Sequence, residues 1–429
     1  VMMLMNILIL LMNSKVLGFG VAMITKKQFD KFKKIVSYAY ENSQFYNEHY
    51  KINKFHPSML KNLEDYLKVP VVRREQLKKI TPDEILTTSD RSRLISQNTS
   101  GSSGINVKIF YSKFEKYINF WSCLKSYFIN RQKLRDITVA LRDPVDIKKP
   151  NLIQRLGFLR YDYYNVFDPI EDNYKAIVKK YHRIDILKGM PSDLASLALC
   201  AQKEGGFPDV GIIYSDCEVL DESNRAFIEN VFNTKVVNYY ASVECGMIAY
   251  ENINKLDGGM EVNGDFVHIS PKEDKQIDKA IVTNLYNFTY PIIRYEIGDV
   301  IEFENYGTDN FSIKKVFGKY LDFILLKDNS IISPHTIKQA LTHLEGVSRF
   351  RVIQQSIDQI EITLESNGDI SPDLEKAIRK EVGVFTNDTC EIVIKTTDKF
   401  VKTNYRKFKV VESKVAQEFL GKVNLPKAG

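Results

Sequence analysis

The sequence predicts an α/β protein of two domains, a large one over residues 1–316 and a small α+β one over residues 317–429. Three observations carry this reading. At 429 residues the chain is too long for one ordinary hydrophobic core. From residue 113 to residue 242, helix-period and buried-strand patterns alternate at short intervals, as they do where parallel strands are joined by crossover helices. Past residue 316 the texture changes to hairpins and two helices, a stretch of about 110 residues, ample for a small domain.

Taken in order, the apolar run VMMLMNILILLM opens the chain within a segment set apart as 1–24. It is shorter than the ~18–20 residues that span a bilayer, and it lacks the charge and cleavage pattern of a signal peptide. The next stretch, KKQFDKFKKIVSYAY, spaces Phe29, Phe32, Val36 and Ala39 as one helical face, with Lys31, Lys33 and Lys34 between them. It reads either as a basic helix docking peripherally on an anionic membrane or as a first helix burying its aromatic face on its own domain; amphipathic helices usually do the latter. RLISQ and VKIFY then read as strands flanking a small-residue loop. A helix over 113–130 carries the single tryptophan, Trp121, for which core packing outweighs a role in lining an acyl pocket. Strand 137–141, helices near 171–182 and 193–205, strand 210–215, helix 224–232 and strand 235–242 follow. In the second part, FILLKDNSIIS turns at Asp328-Asn329, and Pro334 starts a helix, as proline often does. Strands around 348–366, a helix at 372–382 and a strand at 390–396 complete the unit.

Composition excludes several functions. The net charge is +6, and lysines and acids are interspersed, with no basic stripe interleaved with aromatics, so nucleic acid is not an expected partner. Five scattered cysteines, with no C-x-x-C pair, suit a reduced, cytoplasmic compartment. The six histidines show no zinc spacing.

Four polar segments bear on chemistry. Thr99-Ser100-Gly101-Ser102-Ser103-Gly104 lies between two strands. It is either a flexible hairpin or a loop whose bare N–H groups and hydroxyls wrap a phosphate. Tyr240, Ser242 and Glu244 follow the C-terminal end of a buried strand, where ligands of parallel sheets bind, and a carboxylate there suits Mg²⁺. Gly298-Asp299 places an acceptor for two ribose hydroxyls on a turn, and 400–411 is basic, with Lys402, Arg406, Lys407 and Lys409. Taken singly, each has an ordinary reading as a turn former or a solvated charge.

Together, in this order and spacing, the segments resemble the adenylate-forming enzymes (acyl- and aryl-CoA ligases and adenylation domains). The match is nearest to the phenylacetate–CoA ligase-like branch with its capsular-polysaccharide-associated members. Thr99–Gly104 resembles the family's T-S-G-[ST]-[TS]-G phosphate loop, and Tyr240-Ala241-Ser242-Val243-Glu244 its Y-G-x-[ST]-E motif. IIYSDCEVLDESNRAFIENVF looks like the segment before that motif, with Ser215 and Asp216 at the nucleotide; IRYEIGDV is similar to I-R-Y-R-T-G-D, GKYLDFI to the G-R-x-x-D hinge, and KTNYRKFK to the late K-T-x-x-G-K motif. The resemblance implies a large ATP- and acyl-binding domain of mixed sheets and helices, hinged to a small mobile C-terminal domain. It implies ATP or AMP binding by Thr99–Gly104, Ser215, Asp216, Tyr240, Ala241, Ser242, Asp299 and Lys319, and catalysis by Lys407 and by Glu244 with Mg²⁺. The chemistry implied is ATP-dependent activation of a small carboxylic acid as an acyl adenylate, with release of pyrophosphate, then transfer to an acceptor for which CoA is the candidate co-substrate. Two alternatives remain: an adenylyltransferase that leaves AMP on its product, and a catalytically weak scaffold relative in a polysaccharide assembly.

The chain departs from the family pattern at Ala241, Val243, Glu296, Lys319, Leu321 and Arg406. Lys319 replaces a planar bidentate Arg with a point charge. The Cys/His cluster that some relatives carry after the Glu motif is absent from YENINKLDGGMEVNGD, so zinc is not expected.

Overall fold

The computed structural model describes residues 24–415 except 99–107, 145–146, 148, 256–258, 273–278, 306–310, 320–321, 329–330, 333, 343, 345, 348, 367, 387, 399 and 401–409. Residues 1–23, the loop Thr99–Gly104 and Lys402, Arg406, Lys407 and Lys409 therefore lie outside the described residues.

Helix α1 (Lys26–Asn42) starts at a capping box, in which the Thr25 hydroxyl accepts from Gln28 N–H and the Gln28 side chain accepts from Thr25 N–H. Its apolar face, Phe29, Phe32, Ile35, Val36 and Ala39, is buried in the protein's own core. Of the two readings of this helix, self-packing is the one observed, because the aromatic stripe has no area left for a membrane. Among the described residues no helix is long and apolar enough to cross a bilayer.

Helices α2 (Gln44–Ile52), α3 (Arg74–Lys79) and α4 (Pro82–Ile85) lead to the hairpin β1 (Ile95–Asn98) and β2 (Lys108–Tyr111). Helix α5 (Lys113–Ile129) follows, then β3 (Ile137–Arg142), α6 (Leu152–Arg155), β4 (Arg160–Asn165), α7 (Ile170–Lys180), β5 (Arg183–Gly189), α8 (Pro191–Glu204), β6 (Asp209–Ser215), α9 (Glu222–Phe232) and β7 (Val236–Ser242). The alternation read from the sequence is real here, and β3 to β7 are parallel, in the order β4-β3-β5-β6-β7. Charged and aromatic residues fill β4 and mask its strand pattern.

Parallel pairing ends at β7. The chain turns back through β8 (Gly246–Glu251), β9 (Met260–Val262), β10 (Val267–Lys272), β11 (Lys279–Asn284), β12 (Tyr295–Glu304) and β13 (Ser312–Lys319), all antiparallel, and these extend the same sheet to eleven strands. This half curls until β10 returns to contact β8. Beyond it, β14 (Ile324–Leu325) and β15 (Ile331–Ile332) form a hairpin, followed by α10 (Pro334–Thr342), β16 (Phe350–Ser356), β17 (Gln359–Glu365), α11 (Pro372–Thr386), β18 (Glu391–Thr397) and β19 (Val411–Ser413). The sheet β18-β17-β16-β19 and its helices bury a core of their own, including Ile324, Ile337, Leu341, Val352, Ile362 and Ile378.

The α1 docking site holds a pH-sensitive group. His268 on β10 is buried edge-on against Phe32 and Tyr66, and its Nε2 has no hydrogen-bond partner among the described residues. Burial, and then the Arg294 cation, push its pKa down to about 3. An unfolded histidine takes up its proton near pH ~6.5. The stability held in the neutral ring is therefore complete above that pH and falls as the pH drops toward 3, by at most ~1.4 kcal/mol per unit. His268→Phe should flatten this part of the slope when denaturant midpoints at pH 7 and pH 5 are compared; an unchanged slope would exclude His268 as its source.

Candidate nucleotide site

The site is assembled around the turn between β7 and β8. Ser242 pairs with Gly246, leaving Val243, Glu244 and Cys245 as a three-residue loop. Gly246 has φ +70°, and a Cβ there would lie 2.5 Å from Asn119 Oδ1 and 2.9 Å from the Tyr286 hydroxyl, so a close approach and a left-handed backbone both require glycine. The Ser242 hydroxyl accepts from Cys245 N–H across the loop (3.1 Å). A register shift between Tyr240 and Ala241 re-aims the strand end, leaving Ala241 exposed and Ser242 half-buried.

The base of the 99–107 segment is fastened to this turn. Tyr111, the last residue of β2, donates its hydroxyl to the Val243 carbonyl (2.6 Å). Glu115, in the first turn of α5, accepts from the N–H groups of Ser112, Phe288 and Thr289 at 2.7–2.9 Å. Asn287 Nδ2 donates to the Phe110 carbonyl (3.0 Å). One buried carboxylate thus caps a helix and holds the segment leading to Asp299. Sequence reasoning missed Tyr111 and Glu115; the Ser112-x-x-Glu115 capping box was the available signal.

Glu244 is 6% exposed, and among the described residues nothing hydrogen-bonds its carboxylate. Its carbonyl instead accepts from Asn284 Nδ2 (3.2 Å), which sets the loop's depth. An almost buried carboxylate without a protein partner is costly unless a cation or donor arrives. One oxygen-donor carboxylate is also the kind of ligand by which Mg²⁺ is held together with substrate phosphates, so Glu244 fits that ion. Among the described residues there is no cluster of three His, Cys, Asp or Glu able to hold a metal without such help.

Asp299 is the meeting point of three segments. It lies directly opposite Lys319 across β12 and β13, and their charged groups are 2.8 Å apart. The Tyr240 hydroxyl donates to the other oxygen of Asp299 at 2.8 Å. Strands β7 and β12 are four pairings apart in the sheet, roughly 19 Å at ~4.8 Å per strand. Only the curl of the antiparallel half brings the two residues together. Burial, and then the Asp299 charge, raise the Tyr240 pKa, so the phenol stays a donor. A carboxylate offers about four acceptor positions, so Asp299 retains capacity for two ribose hydroxyls.

Glu296, where the family pattern has an Arg, is buried beside Lys279 of β11, 3.8 Å away. The exchanged residue therefore has its counter-charge on the neighbouring strand.

Ser215 ends β6 fully buried, and its hydroxyl has no partner among the described residues. Asp216 is bound by both terminal nitrogens of Arg142 (2.9 and 2.7 Å), with Lys188 Nζ at 3.3 Å. Burial opposes its charge, but Arg142 and then Lys188 hold its carboxyl below the usual range. These two cations were not singled out from the sequence, although each sits at the end of an apolar strand, in ITVALR and RIDILKG, where a charge is out of place unless it has a use. The structure thus brings Tyr240, Asp299 and Lys319 together, sets Glu244 at the foot of the 99–107 segment, and shows Asp216 occupied by an ion pair.

No protein-family model matches the chain. It is 27% identical over 402 residues to Protein CapK of Staphylococcus aureus, covering 86% of this chain and 85% of that one. Its structure is similar to that of 2-hydroxyisobutyryl-CoA ligase in the postadenylation state with 2-HIB-AMP, with a TM-score of 0.70, 16% identity and 96% of each chain covered. It is also similar to ATP-bound MatB from Rhodopseudomonas palustris, with a TM-score of 0.52, 12% identity, and 80% of this chain and 70% of that one covered. The chain thus shares its fold, an α/β body carrying a small C-terminal unit, with 2-hydroxyisobutyryl-CoA ligase and MatB.

Proposed function

We propose that the protein is an adenylate-forming ligase that activates a small carboxylic acid with ATP, releases pyrophosphate and passes the acyl group to an acceptor, for which CoA is the candidate. The polysaccharide setting implied by the sequence resemblance is part of the proposal. The observation that carries it is the convergence of Tyr240 of β7 with Asp299 and Lys319 of the β12–β13 pair, which meet within 2.8 Å contacts.

Asp299 accepts from the ribose hydroxyls while Tyr240 and Lys319 fix its orientation. The loop Thr99–Gly104, whose strands are anchored through Tyr111 and Glu115, presents N–H groups and hydroxyls to the phosphates. Ser215, Asp216, Ala241 and Ser242 border the nucleotide at the strand ends. Glu244 is the residue that would hold Mg²⁺, which supplies charge neutralisation for the phosphates. The acid's carboxylate attacks the α-phosphate and pyrophosphate leaves; Lys407, brought from the small domain, offsets the charge that grows there. Rotation about 318–322 then exposes the acyl adenylate to the acceptor. Domain boundaries at 316/317 belong to this same reading.

ATP–pyrophosphate exchange against a panel of carboxylic acids tests it. Acid-dependent exchange is the expected result, followed by CoA-dependent release of AMP. Exchange without CoA dependence would assign another acceptor, and AMP retained on the product would make the protein an adenylyltransferase. No exchange with any acid, in a folded protein that binds no ATP, would reject the catalytic reading.

A further inference from the structure

Arg142, Lys188 and Asp216 stand at the carboxyl ends of β3, β5 and β6. Strand order reverses between β3 and β5, since β4 lies on one side of β3 and the later strands on the other. Ligands of open parallel sheets bind in the crevice at such a point. The cluster contains two cations and one anion. Among the described residues, Asp216 is the carboxylate that bonds either cation. The side chains of Arg142 and Asp216 are 15% exposed and that of Lys188 is 7% exposed.

A structural clamp would be complete with Arg142 alone, because its fork already takes both oxygens of Asp216. Lys188 shares that single carboxylate at 3.3 Å, so the two cations and one anion leave the cluster with a net positive charge. Its ammonium donates to the Tyr127 hydroxyl, and that ring is stacked on Tyr214 and edge-on to Tyr239, so the group is walled in and cannot swing into solvent. Burial works against its charge, yet Asp216 keeps it protonated. A buried cluster with excess positive charge is costly until a further anion reaches it.

The cluster's position separates it from the phosphates. Tyr127 lies near the far end of α5, fourteen residues beyond Lys113, or roughly 21 Å along the axis from the base of the 99–107 segment. It is nonetheless close to the proposed nucleotide centre, because Ser215 pairs with Asn238 and Asp216 therefore lies one strand from the Tyr239–Tyr240 corner. A short acid with its reacting carboxylate at the nucleotide would direct its other end here.

We propose that Lys188 and Arg142, positioned by Asp216, form a subsite for a second anionic group on the acid, so that the substrate class is dianionic acids. This rests on the acid-activation reading above. The second group is a carboxylate or a phosphate-type anion, both of which suit an ammonium and a guanidinium.

The test compares matched pairs on the full chain: succinate with butyrate, glutarate with valerate, phthalate with benzoate, and 3-phosphonopropionate against succinate. Binding is read by calorimetry in the presence of ATP and activation by pyrophosphate exchange, for wild type, Lys188→Gln and Lys188→Arg. The expected result is that at least one dianionic acid binds wild type about tenfold or more tightly than its partner. That preference should be lost in Lys188→Gln and kept in Lys188→Arg, and the succinate/phosphonate ratio identifies the anion. Equal affinity within every pair for wild type, or a preference that survives Lys188→Gln, overturns the subsite. The wild-type comparison decides even if a variant fails to fold. Exchange with monoacids and no dianion preference would sink the subsite alone; a Lys188-dependent dianion preference without exchange would sink the activation reading alone.

Discussion

Lys407→Ala should slow acyl-adenylate formation by roughly 10²–10³-fold, the usual cost of losing a positioned electrostatic stabiliser. Acceptor transfer from pre-made acyl adenylate should change far less. Lys407 is more than 300 residues from Thr99 and, by sequence, on the small domain. In the proposed cycle it reaches the α-phosphate only while that domain is closed for the first step. Its ammonium is a point charge, most useful where charge develops on carboxylate and phosphate oxygens during attack. A merely solvated lysine would change stability by less than ~0.5 kcal/mol and neither rate. Single-turnover measurement of both half-reactions decides the matter. Selective loss of the first supports the two-step domain mechanism, equal loss of both in a folded protein refutes the role of Lys407, and no loss in either transfers it to Lys402 or Lys409.

Asp299→Ala should weaken ATP binding by ~10–150-fold, corresponding to ~1.5–3 kcal/mol for a charge-assisted hydrogen bond. The substitution also removes the acceptor of Tyr240 and the counter-charge of Lys319, both of which the structure places at 2.8 Å. Asp299→Asn retains an acceptor for Tyr240 and separates the two effects. Calorimetry with ATP on each variant, alongside an unfolding curve, is the measurement. Unchanged affinity in a folded Asp299→Ala protein would remove Asp299 from the nucleotide site.

Much of the candidate site could be proposed along the chain because its parts are local. A Gly/Ser run between two strands, a carboxylate just past a buried strand and a Gly-Asp pair are each short-range patterns, and their order along the chain pointed to one chemistry. The turn expected at Gly298-Asp299 is instead the interior of β12, where cross-strand pairing with Lys319 holds Asp299 in extended backbone. The βαβ half of the sheet was visible at β3, β6, β7 and the helices α7 to α9 between them, which have their own apolar periods, whereas β4 and β5, interrupted by charged residues, were not read as strands. The antiparallel half was not, because β8 is a short apolar run that periodicity cannot separate from buried helix, and β11 and β12 bury polar residues such as Lys279, Thr283, Glu296 and Asp299 where an apolar pattern would be expected.

The amino-acid sequence by itself determined which groups are available: Tyr240, Glu244, Asp299, Lys319 and the flanks of the small-residue loop. The tertiary structure alone decided which of them meet. Tyr240 reaches Asp299 because the antiparallel strands curl, and Lys319 faces Asp299 because the β12–β13 register sets them opposite. The aromatic face of α1, open to two readings as sequence, is settled by what it packs against. Arg142, Lys188 and Asp216 become one charged cluster only when β3, β5 and β6 lie side by side, 74 and 28 residues apart in the chain but one or two strand spacings apart in the sheet. Side-chain chemistry is written residue by residue, whereas hydrogen-bond register and sheet curvature arise from the summed packing of strands far apart in sequence.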